Sequence, residues 1–133
     1  MAISAVTPTA NTGGSTSGAD FTLTSPAGTS ARDLLIVGIA ERQNTEGVTK
    51  ISDANGNNFT FLRFGAQATS SSTSIWYRIV TKNDGSTWTV TNTSNRQAAI
   101  MAYRGSDQMN PIDSSGSTIK PVALLLFLNL SQL

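Results

Sequence analysis

Leu34-Leu35-Ile36-Val37-Gly38-Ile39-Ala40, bounded by Asp33 and Glu41, is the stretch on which the fold turns. Its residues are apolar at consecutive positions, so both sides of the segment are apolar. That suits a central β-strand covered from both sides better than an amphipathic helix with one polar flank. Moving towards the N-terminus, Phe21 and Leu23 alternate with Thr22 and Thr24, the pattern of a half-buried strand, and stop at the turn signal Ser25-Pro26-Ala27-Gly28. A short strand is expected over Ile3 to Val6. Residues 9–18, rich in Thr, Ser and Gly, have little to bury and read as a loop or flexible arm.

Towards the C-terminus, Val48 and Ile51 lead into Asp53-Ala-Asn-Gly-Asn-Asn, a tract of residues that tolerate turn geometry, and then to Phe59, Phe61 and Phe64. A hairpin is the simplest account. The strongest hairpin signal runs from Ile75-Trp76-Tyr77-Arg78-Ile79-Val80 through Lys82-Asn83-Asp84-Gly85 to Trp88 and Val90, which alternate with threonines. Gln97 to Tyr103 supplies a further strand before Gly105. The expectation is one all-β domain over residues 1–133, an antiparallel β-sandwich or jelly roll of about eight strands.

Composition agrees. The chain has 133 residues, enough for one hydrophobic core, and its charged share is only 13%. Ser and Thr make up about a quarter of the chain, so polarity comes from hydroxyls that suit strands and turns. Net charge is +1 and the nine basic residues are scattered, which leaves no footprint for a phosphate backbone; nucleic acid is not an expected partner. The N-terminal Met1-Ala-Ile-Ser-Ala-Val lacks the basic and apolar regions of a signal peptide, so Met1 reads as the start and no secretory signal is expected. The longest apolar run, Val122 to Leu128, is about a third of the roughly 20 residues that cross a bilayer as a helix, so no membrane anchor is expected.

With no His and no Cys, the commonest general base, transition-metal ligand and thiol nucleophile are absent. Neither a catalytic residue nor a cofactor or metal is expected. The aspartates sit beside turns or strand ends, where capping explains them, and Glu41 and Glu46 fall in a polar connector. Asp53-x-Asn55-x-Asn57 opens like a calcium loop, but its Gly comes two positions early and Phe64 stands where the bidentate Glu belongs.

The aromatics and the tail offer contact chemistry instead. Trp76 and Tyr77 are adjacent on a strand and must point to opposite faces, so one of them faces away from the core of a two-layer sandwich. Trp88 reads as core. The run Pro121-Val-Ala-Leu-Leu-Leu-Phe-Leu-Asn-Leu departs from the Ser/Thr texture before it. Over residues 121–133 it reads as a final strand closing the core, a segment docking on a neighbouring subunit, or an altered end. Left exposed, it would promote aggregation. The candidate partner contacts are therefore Trp76, Tyr77, Val122, Leu124, Leu126 and Leu128.

Asp33-Leu-Leu-Ile-Val, Trp76-Tyr77-Arg78-Ile79, Ala102-Tyr103-Arg104-Gly105 and Pro111-Ile112-Asp113, in that order, resemble a small β-sandwich domain of bacteriophage structural proteins and related bacterial surface proteins. The resemblance spans roughly residues 20–115 and carries no catalytic residues. It implies a non-enzymatic virion protein assembled in the host cytoplasm, foremost a capsid decoration (cement) protein that binds phage coat protein or other virion proteins. It also implies a homo-oligomer, with a trimer favoured. The alternatives are a tail or fibre module, or a carbohydrate or host-receptor binding sandwich marked by an exposed Trp among loop Asn and Asp.

Overall fold

A computed structural model describes residues 2–42, 48–67, 71–91 and 95–112. The described chain has no helix. It forms nine strands: β1 (Ser4–Ala5), β2 (Asn11–Ser15), β3 (Phe21–Thr24), β4 (Leu34–Glu41), β5 (Lys50–Ser52), β6 (Thr60–Gln67), β7 (Ser71–Ile79), β8 (Thr87–Thr91) and β9 (Arg96–Arg104). They make two antiparallel sheets. The larger has the order β1-β9-β4-β7-β6, with β2 also on β9, and the smaller has the order β3-β8-β5. The expected antiparallel β-sandwich is what the chain adopts.

The core lies between the sheets and follows from strand alternation. From the large sheet, Leu35, Val37 and Ile39 of β4, Trp76 of β7, and Ala98, Ile100 and Ala102 of β9 point inward; Phe21, Leu23, Ile51, Trp88 and Val90 meet them from the small sheet. Trp88 is fully buried. The edge of Phe59 meets its ring at a centroid distance of 4.8 Å, and its Nε1 donates to Ser25 Oγ at 2.9 Å. The indole is thus packed and hydrogen-bonded together, as a buried Trp requires.

Three expectations change. The strand β4 is central, between β9 and β7, but only one of its sides meets the other sheet; no described strand covers the other side. The strands around Lys82–Gly85 are not a hairpin. β7 pairs with β4 and β6, whereas β8 pairs with β3 and β5, so the turn carries the chain from one sheet to the other. Alternation does not distinguish the two outcomes, because an arch and a hairpin both place Trp76 and Trp88 in the core. The Asp53 tract likewise joins β5 of the small sheet to β6 of the large one, with only the bridge Ser52↔Asn58 between them.

The third change concerns residues 9–18. Asn11–Ser15 is a strand, paired with Arg96–Ile100 of β9. A Cβ on Gly13 would lie 2.7 Å from Thr22 O, and one on Gly14 would lie 2.5 Å from Arg96 O. The glycines therefore let the backbone press against both sheets at once, and Asn11 Nδ2 donates to Thr24 O at 2.8 Å across the same seam. A composition with little side chain to bury here instead lets backbone approach both sheets closely.

Candidate interaction surface

The middle of the large-sheet side turned away from the core is built by β7, β4 and β9, flanked by β6 on one edge and by β1 and β2 on the other. The register places Ile79, Leu34 and Tyr103 in one row, Tyr77, Ile36 and Met101 in the next, then Ile75, Gly38 and Ala99, and finally Thr73, Ala40 and Gln97. No position in these rows is charged. Leu34 and Ala99 are buried by their neighbours; Ile36, Ile75, Tyr77, Ile79, Met101 and Tyr103 are half-buried. Burial also pushes the Tyr103 phenol above its ordinary pKa, so it stays neutral. Ala10 packs beside Ala99 at one margin, and Arg63 pairs in register with Ile75 at the other. The first three rows thus form an apolar patch that is uncharged across β7, β4 and β9, and such a patch is a candidate contact surface.

The polar clusters have structural assignments. Asp53 Oδ1 accepts from the backbone N–H of Asn55 (3.0 Å) and Asn57 (2.8 Å), and its Oδ2 accepts from Asn57 Nδ2 (2.9 Å) and Gly85 N–H (2.8 Å). Burial alone would raise its pKa, but these donors outweigh burial and hold it below the ordinary carboxylate range. The expected calcium-loop likeness is thus a turn whose carboxylate is satisfied by N–H groups, with Gly56 at φ +85°. Among the described residues, no group of three metal-ligating side chains converges.

Asp84 receives two hydrogen bonds from Arg78, at 2.6 and 2.7 Å, and the guanidinium lies 5.7 Å from the Trp88 ring centre. Burial would raise the Asp84 pKa; Arg78 and Thr81 bring it below the ordinary value. Arg104 grips Asp33 at 2.8 and 2.9 Å, and that hydrogen bonding, foremost, lowers the Asp33 pKa. The Arg96–Glu41 pair, 3.3 Å apart, is wholly enclosed, and burial lowers the Arg96 pKa despite its partner. A shallow notch lined by Arg32, Arg104, Asp107 and Gln108 lies at the end of the sheet where β4 begins. It contains Arg32 at φ +78°, an uncommon backbone conformation for a residue with a Cβ.

Among the expected contact residues, Trp76 turns inward: it is 5% exposed, its ring meets Phe61 edge-on at 5.2 Å, and its Nε1 donates to Ser74 Oγ at 3.1 Å. Tyr77 is the outward member, in the second row of the apolar face. Val122, Leu124, Leu126 and Leu128 lie outside the described residues, as does the whole tail 121–133. Sequence reasoning missed Ile36, Met101 and Tyr103. Their signal was present in the doubly apolar β4, which was read as covered on both sides. No family model matches the sequence, and neither a curated protein nor a solved structure does.

Proposed function

We propose that this protein is a non-enzymatic bacteriophage virion component, foremost a capsid decoration protein, that docks on coat protein through the outer face of its large sheet. The observation that carries the reading is that face: four uncharged rows presented on a rigid, fully paired part of the sandwich. Apolar contact on a preformed sheet needs little ordering on binding, which suits a protein that stabilises an assembled shell by binding it. The resemblance over residues 20–115 supplies the virion setting and the homo-oligomer, a trimer being favoured. The involvement of Asp33, Glu41, Asp53 and Asp84 in structural pairs and turns supports a role without catalysis.

A carbohydrate-binding reading has one observation in its favour, the half-exposed Tyr77 and Tyr103 on a single face. It loses its expected signature, because Trp76 and Trp88 are both buried. Co-sedimentation with undecorated capsids of the virus whose genome encodes the chain, with light scattering of the free protein alongside, tests the proposal. Stoichiometric binding is expected. A soluble oligomer that ignores capsids but binds a defined glycan would replace the decoration reading with the carbohydrate one.

A further inference from the structure

In the notch at the end of the large sheet, Arg32 holds a backbone conformation, φ +78°, that glycine adopts at no cost. Its side chain is exposed and makes no hydrogen bond or ion pair with any described residue. The second cation of the notch, Arg104, is committed through Nε and Nη2 to Asp33, Gly28 O and Ser30 Oγ. Beside them Ser106 is only 8% exposed, and its enclosed Oγ has no hydrogen-bond partner. A buried hydroxyl in that state destabilises the fold until it is paired. We propose that the notch binds a carboxylate, with Arg32 as the main donor and the Ser106 hydroxyl, turned about its one side-chain torsion, as a second. The carboxylate is an acidic side chain of the coat protein docked on the adjoining outer face. The source rests on the proposed function; the carboxylate site does not.

The ligand class follows from the donors and the charges. A guanidinium presents paired, coplanar N–H groups that match the two oxygens of a carboxylate. Arg104 is offset by Asp33, and the exposed Asp107 adds a negative charge, with its Oδ1 accepting from the N–H groups of Met109 (2.8 Å) and Asn110 (3.4 Å). One unpaired cation near one carboxylate suits a singly charged group better than a doubly charged phosphate. The location suits a docking contact. Asp33 directly precedes Leu34 and Arg104 directly follows Tyr103, so the notch begins one residue, about 3.3 Å, beyond the Ile79–Leu34–Tyr103 row of the outer face. An apolar centre bordered by a polar margin with an arginine has the anatomy of a specific interface.

Sodium acetate, titrated up to molar concentration into the isotope-labelled full chain, tests the site without any capsid, with sodium chloride at matched ionic strength as the control. The amide signals of Arg32 and of residues 105–108 are expected to shift and saturate with acetate and not with chloride. Arg32→Gly keeps the fold, because glycine suits φ +78°, and should weaken acetate binding roughly tenfold; Asp107→Asn should tighten it. Shifts that do not saturate, or that are the same in Arg32→Gly, would overturn the proposal. Co-sedimentation with undecorated capsids then tests the source of the carboxylate. Capsid affinity of Arg32→Gly is expected to fall roughly tenfold. A variant that loses acetate yet binds capsids as tightly as the unmodified chain would make a free small carboxylate the occupant and overturn the docking role of the notch. Capsids ignored by the unmodified chain would overturn the decoration reading and the coat-protein source with it, while the acetate titration still decides the site.

Discussion

At residue 14 a single methyl group decides whether β2 can lie where it does, because the Cβ of any other residue would meet Arg96 O at 2.5 Å. Gly14→Ala is expected to cost about 3 kcal/mol, at the upper end for overpacking, read as a lowered denaturation midpoint with unchanged slope. Arg32 has the opposite sign. At φ +78° with an exposed side chain it holds a conformation that glycine adopts freely, so Arg32→Gly should raise stability by about 0.5 kcal/mol. Asp53 ties two loops together, and Asp53→Ala leaves four donors without their acceptor, an expected loss of about 2–3 kcal/mol. The pH dependence has a definite sign. Asp33, Asp53 and Asp84 all titrate lower in the folded chain than the ordinary carboxylate, so the folded state binds fewer protons there. Their contribution is fully present above about pH 5 and is lost as pH falls below about 4. A melting series from pH 7 to pH 2 should show that drop, and Asp53→Asn should make it shallower.

Among the elements, β4 and β9 are locked in register by a charge pair as well as by the core, since Glu41 and Arg96 are cross-strand partners whose side chains are fully enclosed. Removing one member takes this pairing away from the other buried charge, so Glu41→Gln or Arg96→Met alone should destabilise the fold more than the double change Glu41→Met with Arg96→Met. Thermal unfolding of the three variants checks this; a double variant worse than both singles would show that the pair contributes more than it costs to bury. Element type was legible wherever side chains alternate or run apolar: β3, β4, β7, β8 and β9 all announce themselves. Partner choice was not. Nothing local to Lys82–Gly85 says whether the next strand pairs with the last or crosses the core, because the inward set is the same in both cases. Nor did residues 9–18 reveal β2, since its reason for being a strand is the absence of side chains at Gly13 and Gly14 beside two backbones that are distant in sequence.

For the molecule as a whole, the proposed contact surface was half legible. Adjacent Trp76 and Tyr77 required one outward aromatic, and the sheet supplies Tyr77; the rest of the face stayed hidden because a doubly apolar strand looks the same whether covered by a second layer or by a partner. Sandwich, face and charge-poor composition together support the proposal that this protein works by contact. The measurement that tests this most directly is capsid co-sedimentation of the unmodified chain beside Tyr77→Lys with Met101→Lys, two changes confined to the outer face and remote from the Trp76 and Trp88 core. With near-ultraviolet dichroism unchanged, the double variant should lose at least tenfold in capsid affinity. Binding by the variant as tight as by the unmodified chain would contradict the assignment of that face as the docking surface.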